Sequence, residues 1–227
     1  MNWYLRYINS ARANPDFEVI EKKGPKKDQS GLNFFDENWK MGDDFIKNYG
    51  KEWIKREEFV KDYSWSVPTE EAIKKLKTFI GGKKVLEVGS GLGLWAKLLQ
   101  LSGVHMTPTD SFESHGTGKA KRDPYRQFTD VENIKGTKAV KKYSDHSVLF
   151  LSWPPYDKPL AASALKRFTG DKVIYIGEGS GGATGNDEFH KILDRDFTEV
   201  DSINIPRWTG INDRITLWER KSQDAIQ

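Results

Sequence analysis

Val85-Leu86-Glu87-Val88-Gly89-Ser90-Gly91-Leu92-Gly93 is the stretch of this chain that indicates its fold class. A mainly apolar run leads into three glycines at alternate positions, and apolar residues then recur at helical spacing. This order is typical of a buried parallel strand that turns sharply into a helix. Glycines let such a turn approach a ligand closely, and the first helical turn offers free N–H groups. The stretch therefore predicts an open α/β sheet with a ligand site at the carboxyl end of this strand.

The composition is that of a globular protein. The chain has 227 residues, of which 37% are hydrophobic and 30% charged, enough for a sizeable core. Its net charge of +3 arises from 36 basic and 33 acidic side chains and does not by itself indicate a nucleic-acid binder. The absence of cysteine excludes disulfides and thiolate metal sites. No apolar run reaches the length of a membrane span or resembles a signal peptide, so we expect no membrane partner and a cytoplasmic or other intracellular location.

Residues 1–66 carry many large aromatic side chains without a clear alternation of strand and helix patterns. Rings of this size normally bury much of their area, so we predict an ordered extension that packs on the core. Apolar residues that recur between Phe45 and Val60 favour a docked helix. The lysine-rich run 22–27 is predicted to be a loop that is either simply solvated or in contact with phosphate.

From Thr69 onward, helix and strand patterns alternate along the chain. Helices are predicted from Thr69 to Gly81, from the glycine turn to Gly103, over 160–168 and over 187–195 with Asn186 as the N-cap. Strands are predicted at 85–88, 104–109, 148–151 and 173–176, followed by a hairpin in which Val200, Ile203 and Ile205 alternate and 215–218 forms the last strand. The segment 113–142 has 8 Lys/Arg against 4 Asp/Glu and weak strand patterns, and 177–185 is predicted to be a flexible loop.

Three features together resemble the class I S-adenosylmethionine (SAM)-dependent methyltransferases over roughly residues 66–220. They are the signature Glu87-Val88-Gly89-Ser90-Gly91-Leu92-Gly93, Asp110 at the end of the next strand, and the turn Pro154-Pro155-Tyr156 after the fourth strand. The resemblance implies an α/β, Rossmann-like methyltransferase fold whose mostly parallel seven-stranded sheet has an antiparallel last strand. It divides the chain into an extension 1–66, a methyltransferase-like domain 67–221 and a tail 222–227. Dinucleotide-binding folds use a similar turn but require a small residue where this chain has Leu94.

The resemblance also implies that SAM is the cofactor. It assigns seven residues to the cofactor site, namely Glu87, Gly89, Ser90, Gly91, Gly93, Asp110 and Asp130. The glycines would shape the turn beneath the ligand, Asp110 would accept hydrogen bonds from the ribose hydroxyls, and Glu87 would support the turn. Asp130 would contact the adenine side from a position after the third strand. The alternatives are that Asp110 only caps its strand and that Glu87 is a buried carboxyl with an internal partner.

Ser152-Trp153-Pro154-Pro155-Tyr156 is the candidate catalytic turn. In family members that methylate amino or amide nitrogens, Asp, Asn or Ser stands directly before the two prolines and holds the target NH₂ group. Trp153 occupies that position here and cannot accept such a hydrogen bond, while Ser152 would face the other side of the sheet unless the backbone rotates it inward. Trp153 and Tyr156 would then stack a flat acceptor or lie near the sulfonium; the alternative is that they are packing and turn residues.

Other polar residues give weaker signals. The four histidines, at 105, 115, 146 and 190, lack the spacing of metal ligands, so we expect no metal. Glu178 follows the fifth strand and is a candidate proton acceptor, with a solvated loop position as the alternative. The segment before the first core helix, which contains Tyr63 and Trp65, is expected to lie across the carboxyl edge of the sheet, either as a lid or as packing.

These features predict SAM-dependent methyl transfer to an undetermined acceptor. Nucleic acid is slightly favoured, because the basic segment 113–142, the lysine run 22–27 and the rings at the fourth strand would supply phosphate contacts and base stacking. A small-molecule or protein acceptor is the alternative within this function. A second hypothesis is a catalytically inactive binding or scaffold protein that keeps the fold, because Trp153 replaces the polar residue.

Overall fold

The computed structural model describes residues 56, 59–60, 63–113, 127–208 and 210–222. Helices in this part of the chain are α1 (Glu70–Ile80), α2 (Leu94–Leu101), α3 (Gly136–Lys142), α4 (Leu160–Leu165) and α5 (Asp187–Asp196). The strands are β1 (Val85–Val88), β2 (Met106–Asp110), β3 (Glu132–Asn133), β4 (Val148–Ser152), β5 (Lys172–Gly177), β6 (Phe197–Ile203) and β7 (Arg214–Arg220). The predictions for residues 1–55, including most of the docked helix and the lysine-rich run, lie outside the described residues.

All seven strands form one sheet in the order β3-β2-β1-β4-β5-β7-β6. The first five strands in this order are parallel, and β7 runs antiparallel to both β5 and β6. The chain proceeds from β1 outward in one direction through β2 and in the other through β4. Open α/β sheets bind ligands beyond the carboxyl ends of the strands at such a switch point. The predicted fold class, a mostly parallel seven-stranded sheet with an antiparallel last strand, is confirmed.

Capping residues define the helix boundaries much as the sequence predicts. The side chain of Thr69 accepts a hydrogen bond from the backbone N–H of Ala72 and starts α1. Gly81 ends this helix in the left-handed conformation. Asn186 accepts a hydrogen bond from the N–H of Phe189 and starts α5, as predicted.

The sheet is covered on both faces by apolar side chains. Val85 and Phe150 belong to the core cluster that includes α1 and α2, whereas Leu86 and Leu149 belong to the cluster formed with α3, α4 and α5. Strands buried on both faces read as continuous apolar runs, which explains the sequences of β1 and β4. Within β1 the exception is Glu87, a charged residue type in a fully buried strand.

The last hairpin departs from the predicted alternation. The pairing of β6 with β7 shifts register between Glu199 and Asp201, and Val200 at this irregularity is exposed. Val200 and Ile203 are three residues apart, so a period of two places them on opposite faces of the strand, and only Ile203 is buried. None of the helices in the described part of the chain combines the length and apolar character that a membrane crossing requires.

Candidate functional site

The glycine turn after β1 has the backbone conformation that the sequence predicts. Gly89, Gly91 and Gly93 have φ angles of 78°, 56° and 74°, in the left-handed region that side chains disfavour. A Cβ atom at Gly93 would lie 2.9 Å from Cγ2 of Val131. The backbone N–H groups of Gly89 and Ser90 both donate to the carbonyl of Thr109, at 2.9 and 3.0 Å. The turn is therefore held against the carboxyl end of β2, and its contact with a ligand stays a prediction.

Asp110, the last residue of β2, fixes the turn through its carboxylate. Its Oδ2 accepts a hydrogen bond from the N–H of Gly91 at 2.8 Å, and its Oδ1 accepts one from the N–H of Phe112 at 2.7 Å. Each carboxylate oxygen can accept a second hydrogen bond, so capacity remains for ribose hydroxyls. Asp110 thus has the capping role that was the alternative, and this role is compatible with the predicted ligand contact.

Among the acids predicted to contact the cofactor, Glu87 has the fewest polar partners for its burial. It is 1% exposed, and its Oε2 has no hydrogen-bond partner among the described residues. Burial, and after it the negative charge of Asp110, raises the pKa of Glu87 to about 8. The carboxyl group is therefore largely neutral at pH 7. The hydroxyl of Ser90 is likewise buried without a partner within the described part of the chain.

Asp130 does not follow the third strand, as was predicted from the sequence. It is exposed and precedes β3, which consists of Glu132 and Asn133, so the residue after the third strand is Ile134. The predicted position after this strand is wrong because the chain first packs Val131 against the glycine turn and pairs with β2 only afterwards. A contact between Asp130 and adenine stays a prediction, but the position after the third strand no longer supports it.

The candidate catalytic turn leaves the sheet abruptly at Trp153, whose φ angle is 50°. A bulky residue in the left-handed region costs about 1–3 kcal/mol, so surrounding contacts must hold it. The N–H of Trp153 donates to the carbonyl of Ile176 at 2.8 Å, and the N–H of Gly185 donates to the carbonyl of Pro154 at 2.8 Å. Pro155 forms a β-bridge with Thr184. The turn is thereby fixed between β5 and the 177–185 loop.

Ser152 faces the lead-in segment, which we define as residues 63–68. The hydroxyl oxygens of Ser152 and Ser66 are 3.0 Å apart, and Ser66 also accepts a hydrogen bond from Nε1 of Trp95 at 2.9 Å. The lead-in segment therefore lies across the carboxyl end of β4, as the sequence predicts. Its role as a lid and the contact of Ser152 with an acceptor stay predictions.

The ring of Trp153 is held by three neighbours. It stacks on Trp65 with ring centroids 5.4 Å apart and planes 16° from parallel, and its Nε1 donates to Oδ2 of Asp213 at 2.7 Å. The guanidinium carbon of Arg56 lies 5.2 Å from the centroids of both tryptophan rings. Tyr156 is 62% exposed and lines a cavity of about 420 Å³ with residues of the 181–188 region. The structure therefore pairs Trp153 with Trp65 and leaves Tyr156 apart from this stack.

Asp213 belongs to this candidate site, although no sequence pattern indicated it. It is 3% exposed, and its Oδ1 has no hydrogen-bond partner in the described parts of the chain. Burial raises the pKa of Asp213 to about 6, while the hydrogen bond from Trp153 acts in the opposite direction. The available signal was that the indole N–H of a packed tryptophan requires an acceptor. Sequence does not reveal which of the many distant carboxylates supplies it.

Glu178 is buried rather than solvated, so the alternative proposed from sequence is wrong. Its Oε2 accepts the N–H of Ala183 and its Oε1 accepts the N–H of Asn212, each at 2.7 Å. The bond to Ala183 lies within the 177–185 loop, and the bond to Asn212 joins this loop to the connection between β6 and β7. The loop that was predicted to be flexible is therefore held by hydrogen bonds. Within the described residues, no three His, Asp or Glu side chains converge as a metal site would require.

The sheet order and the antiparallel β7 define a Rossmann-like α/β fold of the methyltransferase type. No protein-family model and no curated protein matches the sequence. Solved structures with a similar arrangement include magnesium protoporphyrin IX methyltransferase of Synechocystis PCC 6803 with bound SAM, at 11% identity and a TM-score of 0.47, covering 75% of this chain and 97% of that one.

Two further solved structures are similar at the same level. One is the 1,6-didemethyltoxoflavin-N1-methyltransferase of Burkholderia thailandensis with bound 1,6-didemethyltoxoflavin and S-adenosylhomocysteine, at 16% identity and a TM-score of 0.49, covering 79% of this chain and 86% of that one. The other is a candidate tRNA (m1A22) methyltransferase of Streptococcus pneumoniae in complex with SAM, at 13% identity and a TM-score of 0.45, covering 69% of this chain and 75% of that one.

Proposed function

We propose that this protein binds SAM and transfers its methyl group to an acceptor at the carboxyl edge of the sheet. The observation that carries the proposal is the buried Glu87 oxygen that has no partner among the described residues, two positions before the glycine turn and close enough to Asp110 for that charge to act on it. Two carboxyl groups in this small volume favour a ligand that brings positive charge and hydroxyl groups. SAM has a sulfonium, an ammonium and a ribose diol, whereas the pyrophosphate of a dinucleotide would be repelled.

The residues at the turn fit this ligand. Asp110 would accept the ribose hydroxyls with its remaining lone pairs, in charge-assisted hydrogen bonds. Glu87 would lose its proton on pairing with a cationic group, and the hydroxyl of Ser90 would gain a partner. Gly89, Gly91 and Gly93 would leave the backbone open to close approach because they lack a Cβ atom. Asp130 is retained only as a proposed contact on the adenine side.

The chemistry requires positioning more than acid–base catalysis. The bound cofactor would supply a methyl group on a positively charged sulfur. An acceptor would need a lone pair aligned with that methyl group and would give up one proton to solvent, so the protein's part would be to hold the acceptor in line with the methyl group. Correct alignment of such reactants supplies several kcal/mol of the barrier reduction. We assign the acceptor side to the turn Ser152–Tyr156, which includes Trp153, Pro154 and Pro155.

The support for a nucleic-acid acceptor is narrower than the sequence indicates. Part of the basic segment, residues 114–126, lies outside the described residues, and α3 presents exposed lysines at 138 and 141. The ring of Trp153 is already stacked on Trp65 and has the guanidinium of Arg56 near it, so it is less available to a base than the sequence indicates. A salt series tests this acceptor class, because phosphate contacts lose affinity steeply with ionic strength and neutral acceptors do not.

An inactive binding protein is the second candidate function. It is favoured by the ring of Trp153, which occupies the place of the polar residue and has both its N–H and one face engaged within the protein. Such a protein would bind SAM but would not transfer its methyl group. The test measures binding of SAM and of S-adenosylhomocysteine, and then transfer of label from methyl-labelled SAM to RNA, DNA, peptide or cell extract. Binding of both compounds with no transfer of label would support the inactive binding protein over the enzyme.

Calorimetry tests cofactor binding and the role of Glu87 in one experiment. SAM is titrated at pH 7 into the protein in buffers of different ionisation enthalpy, which reports the protons released. Because the pKa of Glu87 is about 8 without ligand, pairing with a cation should release about one proton. Glu87→Gln should bind more weakly and release none. Binding of SAM with no proton released would contradict the assignment of Glu87, and no binding at all would remove the proposed function.

A further inference from the structure

Arg56 is buried in a cluster with two tryptophans and an aspartate at the carboxyl edge of the sheet. Only 3% of Arg56 is exposed, and its guanidinium carbon is 5.2 Å from the ring centroids of Trp65 and Trp153. A cation is attracted to the face of a tryptophan ring most strongly when both are removed from water. This pair of stacked rings is therefore a strong site for a planar or compact cation.

Asp213 adds a negative charge to the same place. Its Oδ2 holds the indole N–H of Trp153, and its Oδ1 is buried without a partner in the described part of the chain. The positive charges of Arg207 and Arg56 act on this carboxyl and oppose the effect of burial on its pKa. An acid at the edge of the Trp153 ring, with one oxygen that has no partner among the described residues, favours a ligand with a positive charge and N–H groups.

The backbone at Trp153 is strained, and its conformation brings the indole ring into the cluster. The left-handed φ of 50° turns the indole out of the strand direction and onto Trp65. Strain of this kind persists where surrounding structure enforces it, and it is concentrated at binding and active sites. The cluster also lies directly after β4, at the turn to which we assign the acceptor side.

We infer that Trp65, Trp153 and Asp213 form a binding site for a cationic nitrogen group, a guanidinium or an ammonium, and that Arg56 fills this site in the present structure. The further statement that the incoming cation belongs to the methyl acceptor rests on the proposed function. The acceptor class is then a molecule that carries a cationic nitrogen, and Arg56 competes with it.

Removal of the Arg56 side chain tests the site directly. In Arg56→Ala, n-propylguanidinium should supply the missing guanidinium, bind in calorimetry and raise Tm, whereas the neutral isostere n-propylurea should bind at least tenfold more weakly. The unaltered protein, whose site is filled, should bind n-propylguanidinium at least tenfold more weakly than the variant. Arg56→Ala combined with Asp213→Asn should lose most of the gained affinity. Equal binding of the charged and neutral probes, or no binding of either, would overturn the inference.

Two controls keep this test decisive. Arg167→Ala removes an exposed arginine elsewhere on the surface and should create no binding of n-propylguanidinium. If circular dichroism shows that Arg56→Ala is unfolded, its refolding is measured in the presence of each probe instead. Refolding with n-propylguanidinium and not with n-propylurea supports the site, and refolding with both or with neither overturns it.

A methyl-transfer assay tests whether the bound cation belongs to the methyl acceptor or only binds at the site. Methyl-labelled SAM is supplied with a peptide that contains Arg and Lys, or with the same peptide containing citrulline and norleucine. The cationic peptide should be labelled preferentially, and Arg56→Ala should raise its rate several-fold. If the variant binds SAM and n-propylguanidinium but labels neither peptide, the acceptor role is overturned. If n-propylguanidinium binds and SAM does not, the proposed function fails while the cation site stands.

Discussion

The indole Nε1 of Trp153 donates a 2.7 Å hydrogen bond to Oδ2 of Asp213, and this bond joins the end of β4 to the start of β7. Trp153 follows β4 and Asp213 precedes β7, and these strands lie on opposite sides of β5, so the bond passes across the carboxyl end of β5. It gives the indole N–H a partner and fixes the ring against Trp65. A bulky residue is thereby held in the left-handed conformation at the turn after β4.

Substitution of Asp213 should show how strongly this bond holds the turn. Asp213→Ala leaves the indole N–H without its acceptor and should lower the free energy of unfolding by about 1–3 kcal/mol. Asp213→Asn keeps an oxygen that accepts the bond and removes the buried charge, so it should cost clearly less. Urea unfolding at pH 7 measures both. Asp194→Ala, at an exposed aspartate, is the control, and an Asp213→Ala protein as stable as this control would contradict the role of the bond.

Ser66 should be the anchor of the lead-in segment. Its hydroxyl accepts the N–H of Trp95 and lies within hydrogen-bond distance of Ser152, so Ser66→Ala removes the partner of a buried indole. We expect a loss of about 1–3 kcal/mol in the free energy of unfolding and faster hydrogen exchange in residues 63–68. Thr78→Ala, which removes an exposed hydroxyl on α1, serves as the control. Unchanged exchange in the lead-in segment of Ser66→Ala would show that other contacts hold it.

The buried carboxyl of Glu87 should make stability without ligand depend on pH. Its pKa is about 8 in the folded protein against 4.5 as the ordinary value, so the folded state binds the extra proton between these limits. The contribution of Glu87 is therefore fully present below about pH 4.5 and is lost as pH rises through 8, with a slope of at most about 1.4 kcal/mol per pH unit. Urea unfolding from pH 5 to 9 measures this slope.

Glu87→Gln isolates this contribution from other titrating groups. Asp213, whose pKa is also raised, titrates nearer pH 6 in both proteins, so its effect cancels in the difference between them. The variant should be less dependent on pH and more stable than the unaltered protein at pH 8–9, because the amide has no charge to bury. Parallel stability curves for the two proteins would show that Glu87 is solvated or paired.

The fold was predictable because its central strands are apolar without interruption and its helices begin and end at recognisable caps. Thr69, Gly81 and Asn186 each act as the sequence indicates. β3 was not predictable because it has only two residues, and the register shift near Val200 is indicated only by the odd spacing between Val200 and Ile203. Local propensity records which residues favour a strand but not where one strand slips against the next.

The site was predictable where it is local in sequence and not where it is assembled from distant parts. The glycine turn and the end of β2 follow from adjacent residues, and Asp110 does contact Gly91. The cluster around Trp153 combines side chains from the extension, β4 and the start of β7, and only the tertiary fold brings them together. A positive φ at a tryptophan also runs against its own preference, so no sequence rule indicates it.

Gly93 provides the most direct test of where the cofactor binds. Its φ of 74° strains any side chain, and a Cβ atom would lie 2.9 Å from Val131 and 3.1 Å from Thr129. Gly93→Ala must therefore displace the 127–131 segment from the turn. Gly82 is a matched control, because its φ of 77° imposes the same strain while no atom lies within 4 Å of the added Cβ.

Gly82→Ala should lose about 1 kcal/mol of stability through backbone strain and keep its affinity for SAM. Gly93→Ala should lose more stability and bind SAM at least tenfold more weakly, because the turn can no longer hold both the 127–131 segment and the ligand in place. Urea unfolding and calorimetry on the two variants measure these effects separately. If Gly93→Ala binds SAM as tightly as Gly82→Ala does, the glycine turn is not the cofactor site and the assignment of Glu87 and Asp110 fails with it.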